Sequence, residues 1–407
     1  MTDKGQVRRF PSGEYEGHGL DPMLAELRAN EPLAKVQLPF GREAWLVTRH
    51  RDARMVVTSR HFSRARESGP DAPRFMASPR DPLVVSALDA PEHTRVRKLA
   101  GKAFTPRRIE TLRDNARKKA NELVDEFAGL DQPADFLKHF ARQMPLAMMT
   151  EMMGIPREDF PLFHQWIDDM EVIDEAGMEK AQRALKGTID YLATQVAKRM
   201  ADTHDDLLAD MVAAHEGADR LTEDQLVHFA FGLWFGGLDT TFNLITNGFY
   251  LLLTHTDQLG LLLADQSLIP SAIDEFLRYA GVNGVDHARV ALTDVELSSG
   301  TIPAGDAVVV SLSSANRDES VFTDPDEVDI TRSPNPHLAF SGGMHYCIGA
   351  PLARMEMSVA LDVVLNRLPG LRLAVPVEEV PWAKRKLVRR PEALPVRWDD
   401  VLPAAGD

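Results

Sequence analysis

The sequence predicts a mainly α-helical protein with small peripheral β-sheets. Two observations support this fold class: long stretches carry apolar residues at helical spacing, and the strand-like segments are short. Hydrophobic residues make up 44% of the 407 residues, an ordinary share for a globular chain. Because no Gly/Ser linker, low-complexity stretch or repeat divides the chain, we expect one domain over residues 1–407.

The predicted elements follow from periodicity, taken in chain order. Strand-like segments cover residues 34–38, 44–47, 295–297 and 307–311, with a terminal pair near Leu387 and Val396. Helical spacing covers residues 106–127, 136–154, 158–174, 178–201, 257–279 and 351–367. A longer apolar run covers residues 226–253, and Thr222 with Gln225 forms a capping-box pattern at its start. The helix predicted there would continue for about thirty residues, roughly 45 Å.

The length of this apolar run would also suit a membrane span. Asp239, two asparagines and a glycine pair near its middle argue against that, and Asp224 and His228 flank it rather than Lys or Arg. A buried carboxylate is costly unless it has a partner or a function. Asp239 is therefore a candidate functional residue of a buried central helix.

The single cysteine, Cys347, lies in the glycine-rich segment FSGGMHYCIGAP at residues 340–351. A thiolate on such a turn suits a metal, and Gly342, Gly343 and Gly349 would let the backbone approach a flat macrocycle closely. The helix predicted just past the cysteine would favour negative charge on the sulfur. A buried free cysteine and a hydrolase nucleophile are the alternatives from these residues alone.

Three motifs resemble the cytochrome P450 family, two of them upstream of the Cys347 segment in the order that the family has, and the resemblance covers residues 21–398. The Cys347 segment resembles the haem-ligand loop, with Ser341 where the family more often has glycine. The sequence GGLDTT at residues 236–241 resembles the oxygen-binding kink of the family's central helix. The sequence EFLR at residues 275–278 resembles the family's ion-pair motif, which a later arginine, here Arg332, would complete.

The resemblance implies the cytochrome P450 fold, a helical bundle around a buried haem b. It makes Cys347 the axial thiolate ligand of the iron, in a loop to which Phe340 and Gly349 contribute. Two haem propionates carry two negative charges, which suits charge-assisted hydrogen bonds from Arg and His. The resemblance assigns these hydrogen bonds to His93, Arg97, Arg289 and His345.

The resemblance also implies the reaction, a haem-thiolate monooxygenation that inserts one oxygen atom from O2 into a hydrophobic organic substrate. Asp239 would relay protons, and Thr240 would hold dioxygen and water. Glu275, Arg278 and Arg332 would form a buried ion trio that fixes geometry. The expected product is hydroxylated or epoxidised, and the expected substrate is a secondary metabolite such as a macrolide, other polyketide or terpene.

By the same resemblance, several separate and mostly apolar segments line the substrate pocket, including the helix pair around residues 160–178. Roughly half of these residues are expected to be plain core. Asn283 is the polar candidate contact, although a satisfied loop amide explains it equally well. The candidate lining residues are Leu83, Val84, Val85, Trp234, Phe235, Gly236, Val282, Asn283, Val285, Leu387 and Val388.

The net charge and the N-terminal sequence limit which partners and which cellular location we expect. The net charge of −15 disfavours nucleic acid. The N-terminus has no apolar stretch, which predicts no membrane anchor, and a single cysteine suits a reducing bacterial cytoplasm. By resemblance, electrons come from NAD(P)H through a ferredoxin reductase and a ferredoxin. The expected ferredoxin surface comprises Arg95, Lys98, Lys102, Arg107 and Arg108. An ordinary solvated basic face is the alternative interpretation.

Three other functions compete with this prediction. A peroxide-driven haem-thiolate peroxygenase generally loses the acid–alcohol pair, which this chain keeps as Asp239 and Thr240. A haem-binding sensor without turnover needs neither residue. A cysteine hydrolase built on Cys347 would leave the other motifs as coincidences.

Overall fold

The computed structural model describes residues 7–12, 17–67, 69–76, 81–101, 104–170, 177–202, 204, 206–214, 221–281, 285–383 and 389–404. A π-helical turn, Leu137–Ala141, precedes α6. The α-helices are α1 Pro22–Asn30, α2 His50–Thr58, α3 Glu92–Gly101, α4 Pro106–Thr111, α5 Arg113–Ala128, α6 Gln143–Met153, α7 Phe160–Met170, α8 Met178–Ala201, α9 Leu207–Ala214, α10 Glu223–Thr254, α11 Thr256–Ala264, α12 Ile269–Ala280, α13 Leu312–Ala315 and α14 Ala350–Arg367.

The strands form small sheets at the periphery of the helices. They are β1 Arg8–Arg9, β2 Leu33–Gln37, β3 Ala44–Val47, β4 Phe62–Ser63, β5 Ala134–Asp135, β6 Arg289–Ala291, β7 Val295–Leu297, β8 Gly300–Ile302, β9 Ala307–Val310, β10 Arg372–Leu373 and β11 Pro395–Arg397. The described strands pair as a six-stranded sheet in the order β1-β2-β3-β9-β6-β4, a three-stranded sheet β10-β11-β5 and the hairpin β7-β8. In the largest sheet, the β1–β2 and β3–β9 pairs are parallel, and the rest are antiparallel.

The central helix α10 begins at the capping box that the sequence predicts. The hydroxyl of Thr222 accepts a hydrogen bond from the Gln225 N–H at 3.1 Å, and the Gln225 side chain accepts one from the Thr222 N–H at 3.0 Å. From Thr241 to Leu253 every side chain of α10 is buried, as is typical of a helix that passes through a core. Among the described residues no helix, α10 included, is long and apolar enough to cross a membrane.

The largest hydrophobic core extends along the chain from Val84 to Trp398 and joins α10 to the helices around it. α10 packs against α6, α8, α12 and α14, and α5 packs against α14. Two smaller apolar clusters lie under the six-stranded sheet. This arrangement sets α10 and the start of α14 at the centre of the helical part.

The predicted elements exist, but several are subdivided. Residues 106–127 form α4 and α5 with a break at Leu112, and residues 257–279 form α11, a 3-10 turn and α12. At the second break the Asp265 carboxylate accepts the Ser267 N–H at 3.0 Å, a local hydrogen bond that competes with the helix. Val396 pairs with β10 and β5, while Leu387 lies outside the described residues.

Candidate active site

Cys347 lies on a short loop that turns directly into α14. Its N–H donates to the Phe340 carbonyl at 3.0 Å, and α14 begins at Ala350. Burial raises the pKa of the Cys347 thiol, although the N–H groups of Gly349 and Ala350 and the Arg97 guanidinium favour the thiolate. Burial opposes the anion, and a bound iron would stabilise the thiolate form.

Two glycines of this loop are needed for close packing on α2. A Cβ on Gly342 would lie 2.8 Å from Val57 Cγ2, and one on Gly343 would lie 2.9 Å from the Val57 carbonyl oxygen. A side chain at either position would therefore push the loop away from α2. At Gly349 the nearest described atom to such a Cβ is Cys347 Sγ at 3.9 Å, so this position leaves room beside the sulfur.

Three of the four candidate propionate ligands lie close to the Cys347 loop. The rings of His93 and His345 are 4.5 Å apart, and Arg97 donates a hydrogen bond to the Tyr346 carbonyl. His93 is 2% exposed, and neither of its ring nitrogens has a hydrogen-bond partner among the residues described. Buried polar atoms require such partners, and a propionate would supply one. The residues present therefore fit a haem.

The fourth candidate, Arg289, belongs to a buried network that sequence reasoning missed. Its guanidinium donates to the Asp286 carboxylate at 2.9 Å. The same carboxylate accepts from Arg64 at 2.8 Å and from the Ser341 hydroxyl at 2.7 Å. Burial alone would raise the pKa of Asp286, but the Arg289 and Arg64 guanidiniums hold it well below its usual range. The structure thus shows Arg289 bound to this carboxylate, and a propionate contact would come in addition.

The hydrogen bonding of Ser341 explains why a serine can stand where the family more often has glycine. Its φ of 58° lies in the left-handed region, where glycine is most easily accommodated. The hydroxyl bond to Asp286 helps compensate for the strain of a side chain there. The only signal for Asp286 in the sequence is its position three residues before Arg289.

Asp239 and Thr240 lie next to each other on α10. The Thr240 hydroxyl donates to the Gly236 carbonyl one turn earlier, which is the bonding that tends to bend a helix. Asp239 is 6% exposed, and Asn243 donates to its carboxylate at 2.9 Å and to its carbonyl at 2.7 Å. Asn243, four residues after the acid on the same helix face, is a positioning residue that the sequence did not single out.

The two glycines before Asp239, Gly236 and Gly237, face different surroundings. A Cβ on Gly236 would meet no described atom within 4 Å, so this residue faces open space. A Cβ on Gly237 would lie 2.6 Å from Met149 Sδ, so Gly237 allows α6 to approach α10. Only Gly236 therefore agrees with the expected role of making room above the haem.

Glu275, Arg278 and Arg332 come together as a buried trio. The side chains of Glu275 and Arg278 are 0% exposed and form two bonds of 2.7 Å, while Arg332 Nε lies 3.2 Å from Glu275. Arg278 also donates to the carbonyls of residues 316, 325 and 327. Asn335 adds a bond to Glu275 at 3.1 Å that the motif does not predict. The trio ties α12 to the irregular segment that leads to Cys347.

The candidate pocket residues separate into accessible and core positions. Trp234, expected in the pocket, is instead fully buried against Phe163, with ring centroids 5.0 Å apart. Val285 forms a bridge to Ser311 and packs on a cluster under the six-stranded sheet. Val84 is buried, whereas the accessible or half-buried candidates are Leu83, Val85, Phe235 and Gly236. The candidates outside the described residues are Val282, Asn283, Leu387 and Val388.

Acidic side chains pair with two of the basic residues of the expected ferredoxin surface. Arg95 pairs with Glu92 at 2.5 Å, and Arg108 pairs with Asp210 at 2.9 Å. The helix that carries Arg108, α4, packs against α14. The other members are Lys98 and Arg107, which are exposed, and Lys102, which lies outside the described residues.

Comparison with known proteins identifies the ancestry of this site. The family model described as Cytochrome P450 matches residues 146–259 and 263–387, more than half of the chain. The chain is 40% identical over 397 residues to the mycinamicin IV hydroxylase/epoxidase of Micromonospora griseorubida, covering 97% of this chain and 99% of that protein. It is 39% identical over 394 residues to the nocardicin C N-oxygenase of Nocardia uniformis subsp. tsuyamanensis, covering 96% and 99%.

Comparison with solved structures points to the same family. The crystal structure of the LnmA cytochrome P450 hydroxylase from the leinamycin biosynthetic pathway of Streptomyces atroolivaceus superposes with a TM-score of 0.89 and 44% identity, over 96% of this chain and all of that one. The mainly helical cytochrome P450 fold predicted from the motifs is thereby confirmed. The chain belongs to the cytochrome P450 family and is a haem-thiolate monooxygenase.

Proposed function

We propose that this monooxygenase hydroxylates or epoxidises a hydrophobic secondary metabolite such as a macrolide, other polyketide or terpene. The observation that carries the proposal is the acid–alcohol pair on α10, with Asp239 held by Asn243 and Thr240 facing the open side at Gly236. When bound, the haem supplies the iron centre at which O2 is reduced and one oxygen atom is transferred. A haem protein without turnover has no need of this pair.

The roles of the surrounding residues follow from their chemistry. Cys347 would hold the iron, and His93, Arg97, Arg289 and His345 would hold the propionates. Asp239 would take protons from the solvent side and pass them on through water. Thr240 would hold that water, because its hydroxyl both donates and accepts.

The relatives support the reaction class more strongly than they support any one substrate. One is named for hydroxylation and epoxidation of mycinamicin IV and the other for N-oxygenation of nocardicin C, at almost equal identity. Substrate choice therefore depends on this chain's own pocket. We propose that Leu83, Val85 and Phe235 contact the substrate, with Asn283 as a polar contact.

We further propose that electrons reach the site from NAD(P)H through a ferredoxin reductase and a ferredoxin. Lys98 is exposed on α3, whose Arg97 contacts the Cys347 loop at Tyr346, and Arg107 is exposed on α4, which packs against α14. These two cations support a docking surface for an acidic protein. A single catalytic domain over residues 1–407 and a bacterial cytoplasmic location complete the proposal.

The test of thiolate ligation and substrate class is spectroscopic. The reduced carbon-monoxide complex should show the far-shifted Soret band of a thiolate-ligated haem, and Cys347→Ser should lose that band. Titration with a panel of macrolides, other polyketides and terpenes should then shift the Soret band of the resting protein for a true substrate. Protein that cannot be reconstituted with haem would contradict the assignment of Cys347, and a panel without any shift would contradict the substrate class.

A further inference from the structure

A small cleft with a mainly apolar lining and three polar side chains lies beside Asp239, between α7, α10 and the start of α6. It offers about 10 Å³ for the centre of a water-sized sphere, which is about enough for one water molecule. Its polar members are the Asp239 carboxylate, the His164 ring and the Arg142 guanidinium. The lining residues are Arg142, Leu146, His164, Ile167, Leu238, Asp239 and Phe242.

His164, on α7, is the residue of this cleft that has no assigned role. Both of its ring nitrogens are buried, and neither has a hydrogen-bond partner among the residues that the structure describes. Burial, helped by the nearby Arg142 guanidinium and opposed by Asp168, lowers the pKa of His164 to about 4. The ring is therefore neutral at pH 7, with one nitrogen that donates and one that accepts.

The outer side of the cleft is closed by an ion pair. Arg142 Nη2 lies 2.5 Å from Asp168 Oδ1, and the two side chains are 28% and 44% exposed. The Arg142 guanidinium also lies 5.6 Å from the ring centroid of Phe242. Because arginine does not release its protons, Arg142 shapes this entrance without carrying protons itself. The Asp168 carboxylate is partly exposed to solvent and lies near enough to His164 to raise its pKa.

We propose that His164 passes protons from solvent to Asp239 through one water molecule held in this cleft. In this step one ring nitrogen accepts a proton from the solvent side, and the other nitrogen gives its proton to the water. The water in turn gives a proton to the Asp239 carboxylate, so one proton moves inward and no electron is transferred. Rotation of the ring then restores the starting tautomer. The inference rests on the proposed proton-delivery role of Asp239.

The first test compares His164→Phe with a control, His139→Phe, which changes a half-buried histidine of the π-helical turn that does not line the cleft. His164→Phe should lower the rate of product formation by about tenfold or more. This loss should be smaller than the roughly 10²–10⁴-fold contribution of a direct general acid. It should raise the solvent isotope effect in D2O and the peroxide formed per NAD(P)H. Haem content and substrate affinity should not change. An isotope effect and peroxide yield equal to those of the parent and of His139→Phe would overturn the proposal.

The second test needs no turnover and remains available if His164→Phe fails to fold. Histidine labelled with ¹⁵N is observed by NMR in the diamagnetic carbon-monoxide complex, with the His164 signals assigned by His164→Gln. Asp239→Asn should shift both ring-nitrogen signals of His164, because the water that joins the two groups loses an anionic acceptor. Unshifted His164 signals would overturn the proposal. If His164 and Asp239 prove coupled while Asp239→Asn turns over normally, the failure lies in the proposed role of Asp239 instead.

Discussion

At the residue scale, hydrogen-bond donors hold the two buried carboxylates Asp286 and Asp239. Asp286 accepts from Arg64, Arg289 and Ser341, and Asp239 accepts from Asn243. Charge-assisted bonds of this kind hold a carboxylate in one orientation. Orientation matters most at Asp239, because a proton donor must stay within hydrogen-bond reach of its acceptor.

Thr240→Ala should divert reducing equivalents into hydrogen peroxide, because the water that delivers protons loses its anchor. Haem and substrate binding should remain, and Asp239→Asn should slow turnover more than it lowers the yield. The measurement is product and peroxide formed per NAD(P)H, with Thr241→Ala, a change at the buried neighbouring threonine, as the control. Unchanged product yield in Thr240→Ala would refute this role, unless a substrate hydroxyl is shown separately to replace the threonine.

His18→Phe should make the protein more resistant to acid. The His18 ring packs edge-on against Tyr250, Tyr279 and Trp382, and burial lowers its pKa from 6.5 to about 3. The unfolded chain therefore takes up a proton first as the pH falls below 6.5, and stability is lost between that pH and about 3.

Phenylalanine cannot take up this proton and should keep the aromatic packing. The pH midpoint of acid unfolding, followed by far-ultraviolet circular dichroism, should move to lower pH by a few tenths of a unit or more, since each unit of pKa shift corresponds to about 1.4 kcal/mol. Replacing the exposed His204 by Gln should leave the midpoint in place. A midpoint that does not move in His18→Phe would show that this ring does not limit acid stability.

At the scale of elements, the Glu275 trio joins α12 to the irregular segment before the Cys347 loop. That segment has few regular backbone hydrogen bonds of its own, so three of its carbonyls are satisfied by Arg278. A buried ion pair of this kind is weak evidence for stability but restricts the chain to one geometry. The position of Cys347 relative to α10 depends on that restriction.

Glu275→Ala or Arg278→Ala should give haem-free or insoluble protein. Glu275→Ala leaves the buried Arg278 without its carboxylate, and Arg278→Ala leaves Glu275 with only Arg332 and Asn335. Breaking a buried pair typically costs about 3–5 kcal/mol. The measurement is haem content per soluble protein after expression. Glu110→Ala, which breaks the exposed Glu110–Arg113 pair of the same three-residue spacing, serves as the control and should behave as the parent does. Full haem content in both trio variants would show that the trio is not needed to hold the Cys347 segment in place.

At the scale of the whole molecule, charge is the feature that governs encounters. The net charge of −15 would repel an acidic ferredoxin, so a local basic surface must overcome that repulsion. With Arg95 and Arg108 paired to acids, the described candidates for that surface are Lys98 and Arg107. Steering by such a surface affects the association rate and weakens as salt rises.

Reduction by ferredoxin should slow steeply with ionic strength, while peroxide-driven turnover should barely change. Arg107→Glu should lower the association rate and leave substrate affinity intact. Lys198→Glu, at an exposed position of α8, makes the same change in net charge away from the Cys347 loop and should have a smaller effect. Ferredoxin-supported rates that are flat with salt and equal in both variants would favour an ordinary solvated basic face.

Local chemistry determined what could be predicted from the sequence by itself. The family, the helical fold, the capping box at Thr222 and the candidate residues Cys347, Asp239 and Thr240 all follow from short motifs, in which the informative residues are neighbours along the chain. Such motifs carry information because the turn or helix that they form depends on residues only a few positions apart.

Tertiary structure alone decided the contacts between distant segments. Arg64 and Asp286 are 222 positions apart, and no local pattern joins them. Adjacent residues of α10 also differ in burial: Trp234 is buried in the core, while Phe235 is half-exposed. The reason is that each residue is rotated about 100° around the helix axis from the one before it. The cleft that joins His164 to Asp239 exists only because α7 packs beside α10, and packing of that kind depends on every side chain between the two helices.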